Sequence, residues 1–330
     1  MIIKNGKAGV NVLDRSVFKR IHAVSEKEGR ITMSADPVTL PVREIGEYAV
    51  YAAINALSAE KILPESFRPV ILLPLGTDES RLREIMDQIC RVCASQDLTV
   101  EGGHTEVTAA VTRPVVIGCC TGVPMETAPK SICPEKPGNT SGLERDRRDG
   151  SECGPVSARR IVMTKWAGME GSCVLAREKK DLEEVFPETI LHRMRKLGEY
   201  LSVKEEALLC AKEGTAYLTD LSEGGFYAAL FRLSQKARRG FRVDLKSVPV
   251  LQETIEFANH YDIDPYRMRS AGSLLAVTDD AEALIEALSQ RGIPAVGIGE
   301  LSEDQDKIIR NGEEIRYLDL PQPDELLKLL

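Results

Sequence analysis

The 330-residue chain predicts an α/β (α+β) protein of two domains, and three observations carry that expectation. Its length exceeds what one hydrophobic core ordinarily organises, so two domains are the natural division. Short β-like apolar runs alternate with helical periodicity in both halves, the pattern of helices layered on a sheet. Each half also carries a glycine pair at a strand end: Glu101-Gly-Gly-His-Thr-Glu-Val107 in the first and Asp220-Leu-Ser-Glu-Gly-Gly225 in the second.

Composition narrows the class. With 43% hydrophobic and 28% charged residues, the chain reads as soluble and globular. A net charge of −8, with basic residues gathered only at Arg145-Asp-Arg-Arg148, argues against nucleic acid as a partner. No stretch approaches the ~20 apolar residues of a membrane span, so no membrane partner is expected. No signal-peptide core is legible either, and the expected location is cytoplasmic. Cys90-Arg-Val-Cys93 has a metal- or redox-like spacing, but it lies in a helical run whose apolar face is Leu82, Ile85, Met86 and Ile89. With no second pair and no histidine near it, packing is the better reading. Cys119, Cys120, Cys173 and Cys210 sit in apolar surroundings and read as core, whereas Cys133 and Cys153 lie in polar loop.

Taken in order, residues 13–28 look helical, with Asp14 as N-cap and Val17, Ile21 and Val24 as an apolar stripe. Residues 31–35 are β-like. Pro37 biases Asp36 away from helical geometry, which leaves its carboxylate at a strand end, as a turn residue or as a ligand. Residues 44–61 form an Ala-rich helix whose Ala49, Ala52, Ala53 and Ala56 permit close packing. Residues 68–75 are a continuous apolar strand, and Thr77-Asp-Glu opens a second helix with good capping chemistry. A short strand at 98–100, the glycine turn and a strand over 113–122 complete the first domain, residues 1–125. Residues 124–158 are rich in Pro, Gly and charge and lack periodicity; 126–158 is expected to be an interdomain linker with a mobile insertion.

The second domain, 159–330, opens with a strand at 160–164, a loop, and helices at 171–177, 188–200 and 203–213. A strand over 215–219 ends at Asp220, and Gly224-Gly225 turns it into a helix over 226–237. Strand, glycine turn and helix together aim backbone N–H groups at one point, the arrangement of an anion site. There follow a strand at 241–243, a helix at 251–261, an α/β unit over 273–301, β-like runs at 307–310 and 314–318, and a terminal helix.

No nucleophile triad, GxxxxGK[ST] or GxGxxG motif occurs. His104 is the histidine in a glycine-rich context, beside Glu106; His22, His192 and His260 fall on amphipathic helices and read as structural. What remains is a set of carboxylates at strand ends (Asp36, Glu106, Asp220), one histidine and two glycine turns. Hard oxygen ligands beside helix N-termini suit Mg²⁺ and phosphate.

These residues resemble a family. Glu101-Gly-Gly-His-Thr-Glu-Val-Thr, followed by Arg113-Pro-Val-Val-Ile-Gly-Cys-Cys-Thr-Gly122, looks like the first-domain signature of the AIR synthase (PurM-like) superfamily. Within it the likeness is to AIR synthase-related proteins and the hydrogenase maturation factors of the HypE type. Ser34-Ala-Asp-Pro-Val, Lys165-Trp-Ala-Gly-Met-Glu-Gly-Ser, Leu218-Thr-Asp-Leu-Ser-Glu-Gly-Gly and Ser270-Ala-Gly-Ser-Leu-Leu agree in order. The resemblance implies an N-terminal domain that dimerises through its sheet into a shared barrel and a C-terminal α/β domain beside it. It also implies ATP with Mg²⁺ in the cleft, and phosphorylation that activates an acceptor. Carried over by position, Asp36 and Asp220 would hold the metal, and Asn55, Gly102, Gly103 and Thr105 would flank the nucleotide. Gly224 and Gly225 would shape the acceptor wall, and His104 and Glu106 would be the catalytic candidates. Several positions depart from the pattern. No acidic, glycine-rich segment precedes residue 31, Ala56 stands where the family has an acid, and no cysteine closes the stretch Pro323-Asp-Glu-Leu-Leu-Lys-Leu-Leu330. Two functions stay open: an ATP-dependent enzyme with an unknown small-molecule or protein acceptor, or a catalytically inactive dimeric binding or scaffold protein.

Overall fold

The computed structural model describes residues 32–127 and 159–330. The helix expected at 13–28, His22, residues 128–158 of the expected insertion, Cys133 and Cys153 lie outside the described residues. The first domain runs β1 (Thr32–Val38), α1 (Ile45–Ala59), β2 (Ile62–Leu73), α2 (Glu79–Ser95), β3 (Thr99–Val100), β4 (His104–Val107) and β5 (Val115–Pro124). β5 lies antiparallel between β1 and β2, and β3 and β4 both run parallel to β2 on its far side. Asp36 therefore stands inside β1, opposite Gly118, rather than after the strand. β2 begins six residues before the expected 68. Pro64 and Pro69 interrupt its apolar pattern, and the register shifts between Pro64 and Ser66, where a bulge absorbs the missing donor.

The alanine face of α1 does what its small residues allow. Ala49 and Ala53 are fully buried against the sheet. A Cβ on Gly118 would stand 2.6 Å from the Ala49 carbonyl oxygen and 2.8 Å from the Phe67 ring, so only glycine lets α1 sit this low on β5. The helix face of the sheet buries Phe67, Ile71, Val116 and Cys120. By register the opposite face carries Pro37, Ile117 and Val70 in one row and Val115 and Leu72 in the next, with Met33 exposed at the edge. No described element covers that face.

The second domain runs β6 (Arg160–Thr164), α3 (Met169–Glu178), α4 (Leu182–Val185), α5 (Glu188–Lys196), α6 (Lys204–Lys212), β7 (Tyr217–Asp220) and α7 (Gly225–Ala237). It continues with β8 (Gly240–Asp244), α8 (Gln252–His260), β9 (Leu274–Thr278), α9 (Ala281–Ser289), β10 (Ala295–Ser302), β11 (Lys307–Asn311) and β12 (Glu314–Tyr317). Its seven strands are ordered β12-β11-β8-β10-β6-β9-β7. β6 is antiparallel to both β9 and β10, so the α/β unit expected over 273–301 straddles β6 instead of standing alone. On one face of β6, Ile161 and Met163 pack under Phe226, Leu230 and Leu233 of α7. On the other, Val162 packs with Cys210 of α6 and Leu284 and Leu288 of α9. Burial on both faces explains why β6 reads as an unbroken apolar run.

The helix expected at 188–200 tightens to a 3₁₀ turn over Leu197–Tyr200, and the expected terminal helix is only a 3₁₀ turn, Glu325–Lys328. Pro124 and Met125, read with the Pro- and Gly-rich stretch, join the fold, and Glu126 and Thr127 are exposed. Pro124 ends β5, and Met125 is buried in the second domain's core with its N–H donating to the Lys61 carbonyl. The two domains are tied by Asn55, whose amide donates to the Leu201 carbonyl (2.7 Å) and accepts from the Val203 N–H (2.9 Å). Cys93 is buried, as packing requires, with its thiol pushed up to about 12 by burial, whereas Cys90 is exposed and takes no part in the core. Cys119, expected in the core, is half-exposed on the uncovered sheet face.

Candidate functional site

A cavity of about 400 Å³ opens at the domain junction. From the first domain it is lined by Asp36 and by Ala52 and Ala56 of α1. The same low seating of α1 that requires Gly118 brings these alanines beside β1, where the Ser34 hydroxyl also donates to the Ala53 carbonyl (3.0 Å). From the second domain come Asp220 at the end of β7, Ser222, Glu223 and two arginines, Arg232 and Arg269. Asp36, Ala56 and Asp220, far apart in sequence, thus meet in one solvated cleft.

Below Asp220 the chain turns sharply. Gly224 (φ +79°) and Gly225 (φ +62°) both adopt left-handed backbone, and a Cβ on Gly225 would stand 2.7 Å from the Tyr266 carbonyl oxygen. The turn delivers the N-terminus of α7, and the Gly224 N–H does meet an anion. That anion belongs to the chain itself: the Asp324 carboxylate accepts from Gly224 N (2.7 Å) and from Leu326 N (3.0 Å). Asp324 is 1% exposed, and burial pushes its carboxyl up to about 6 against the opposing pull of Arg269 and the two amides.

Arg269 is the hub of this wall. Its Nε donates to Glu170 Oε1 (2.9 Å), the other Glu170 oxygen accepts from Ala271 N (3.2 Å), and Glu223 lies 3.7 Å from its Nη1. Burial disfavours its charge, yet Glu170, Asp324 and Glu223 together hold its pKa above the ordinary arginine value. Arg232 donates to the Asp220 carbonyl (2.8 Å) and to the Ser222 hydroxyl (3.3 Å), which fixes the loop that carries Asp220.

The remaining candidates lie elsewhere. His104, Thr105 and Glu106 are all exposed on β4, the outer neighbour of β2, with His104 Nε2 and Glu106 Oε2 3.8 Å apart. Gly102 and Gly103 precede them at positive φ, and none of the five lines the cleft. Asn55 is 2% exposed and its amide is occupied by the interdomain bonds to Leu201 and Val203. Residues 102–106 and Asn55 therefore do not join Asp36 and Asp220 within one copy of the chain.

Residues 159–311 match the model of the family described as "AIR synthase related protein, C-terminal domain". The second domain therefore belongs to the AIR synthase-related family, and the chain as a whole is similar to AIR synthase (PurM-like) proteins. A curated relative, the carbamoyl dehydratase HypE of Rhodobacter capsulatus, is 24% identical over 277 residues, covering 82% of this chain and 74% of the relative. Among solved structures, the hydrogenase maturation protein HypE in complex with ATP superposes with a TM-score of 0.68 at 14% identity, covering 98% of each chain. AaThiL complexed with AMPPCP and TMP superposes with a TM-score of 0.62 at 13% identity, covering 87% of this chain and 86% of that one. These likenesses establish the PurM-like fold. The cluster of Glu170, Arg269 and Asp324 was not read from the sequence as part of a site. Its signal was present: Glu170 lies within the quoted Lys165–Ser172 motif, and Arg269 directly precedes Ser270-Ala-Gly-Ser.

Proposed function

We propose that the cleft binds an ATP-type nucleotide and activates an acceptor by phosphorylation, as expected of a PurM-like protein. The observation that carries the reading is the convergence of Asp36 and Asp220 with Arg232 and Arg269 in one cavity. The acidic pair fits Mg²⁺ delivered on a triphosphate, which needs only one or two protein carboxylates and keeps its waters. It does not fit a metal held by protein alone, because no group of three or more ligating side chains is assembled among the described residues. Bound there, the metal would neutralise phosphate charge. The chain's own part would be to position phosphates against Asp36 and Asp220 and to offer guanidinium charge from Arg232 and Arg269.

Ala56 provides the test. It lines the cleft and is only half-buried, so an acid there would point into solvent rather than into packing. Ala56→Asp should tighten Mg·ATP by about ten- to hundredfold, or ~1–3 kcal/mol, in calorimetric titration. No detectable nucleotide heat in either form would end the ATP reading. A second reading is favoured by Asp324, which already occupies the α7 N-terminus: an inactive relative that keeps the fold and a ligand cleft.

The open sheet face of the first domain is proposed to pair with a second copy. Among the described residues nothing covers its rows of Pro37, Ile117, Val70, Val115 and Leu72. By register His104 follows Val70 and Glu106 follows Leu72 on that same face, so the pairing would bring these two candidates into the interface. Light scattering should report a dimer at micromolar protein. A monomer whose mass does not change with concentration would exclude the pairing.

A further inference from the structure

A larger cavity, about 1010 Å³, lies at another part of the domain junction and shares no lining residue with the cleft. Its floor is Lys165, a non-glycine residue in left-handed backbone (φ +51°) and only 7% exposed. Such strained positions persist only where their surroundings hold them, and they concentrate at functional sites. The Lys165 ammonium donates to the carbonyls of Tyr200 and Ser202, both at 2.9 Å, and pairs with the carboxylate of Glu206, itself 2% exposed. Apolar residues of similar size commonly replace a buried ion pair at little or no cost in stability, so packing alone does not explain this one.

The wall beside the pair is aromatic. Trp166, half-buried, and the 52% exposed Tyr200 both line the cavity. The rim carries charge of both signs. Lys204 donates to the uncharged Gln96 carbonyl (2.5 Å), and Arg291 reaches Glu205 only at 3.5 Å with both side chains exposed. Asp97 and Glu199 also line the cavity. A purely anionic ligand would face these two carboxylates, and a purely cationic one would face Lys204 and Arg291. A molecule with a ring and both charges meets the whole surface. We infer that this groove is a second binding site, for a zwitterionic aromatic small molecule of the amino-acid class.

Trp166 is the chain's single tryptophan, so its emission reports this groove. L-Phenylalanine should change that emission saturably. 3-Phenylpropionate and phenethylamine, each lacking one charge, should bind about tenfold or more weakly, the loss expected from one charge-assisted contact. Ser289→Arg, at an exposed position on the rim, should abolish the phenylalanine response. Glu199→Gln should weaken phenylalanine and leave phenylpropionate unchanged. Three results would overturn the site: no saturable response to phenylalanine, equal responses to all three probes, or a response that survives Ser289→Arg but disappears in Asp36→Asn, which would place the ligand in the cleft.

Discussion

Replacing Glu170 with alanine should destabilise the protein by about 3–5 kcal/mol, the usual cost of removing one partner of a buried ion pair. Glu170 is 1% exposed and Arg269 is 9% exposed. Without the carboxylate, Arg269 loses its 2.9 Å bond and Ala271 N loses its 3.2 Å acceptor, and burial limits how far water can replace them. Glu223 at 3.7 Å and Asp324 would remain as partial compensation, which sets the lower end of the range. The double variant Glu170→Leu with Arg269→Met distinguishes an uncompensated charge from simple loss of packing. If the charge dominates, the double variant should unfold at higher denaturant than Glu170→Ala, since two apolar residues of similar volume leave no buried ion. A double variant no more stable than the single would mean that the pair contributes mainly shape. Because Arg269 also lines the cleft, the single variant should weaken nucleotide binding as well.

Much of the fold was legible because local patterns agreed with global ones. The alanine stripe of α1 announced a close helix–sheet contact, and Gly118 with Ala49 realises it. β6 announced itself as an unbroken apolar run because layers cover both its faces. Patterns failed where a tertiary partner overrode them. The start of β2 was hidden by Pro64 and Pro69, which a bulged strand tolerates once β5 supplies the pairing. The expected terminal helix is replaced by a short turn held by contacts no local pattern reveals: the two amides on Asp324, the burial of Leu326, and Lys179 donating to the Leu329 carbonyl. The candidate site divides the same way. Asp220 could be named because a carboxylate at a strand end beside a glycine turn is a local signal, and Asp36 because Pro37 biases it away from helical geometry, although it proves to stand inside β1. Asn55 could not be assigned its interdomain role, since its partners are backbone groups at residues 201 and 203 with no side-chain signature.

The second large effect concerns pH and Asp324. Its carboxyl titrates at about 6 in the folded chain, against 3.8 for an ordinary aspartate, chiefly because burial disfavours the charge. Below the ordinary value both folded and unfolded chains hold the proton, and this group's full contribution to stability is present. Between roughly 4 and 6 the folded chain keeps a proton that the unfolded chain has released. Stability from this group therefore falls as pH rises through that window, by about 3 kcal/mol for a shift of about two units, and is level above it. Asp324→Asn removes the titration while leaving one oxygen to accept from Gly224 N or Leu326 N; its lost second acceptor is a constant offset at every pH. Glu44, Glu206 and Asp264 are also raised by burial, and Glu84 and Asp304 are lowered by their hydrogen bonds. These groups act in both proteins and cancel in the comparison. Urea unfolding of the wild type and Asp324→Asn at several values from pH 4 to 8 should show the wild type's relative stability dropping between pH 4 and 6 and then holding steady. A difference that stays constant from pH 4 to 7 would mean that Asp324 is charged throughout, held as an anion by Arg269 and the α7 N-terminus more strongly than burial opposes it.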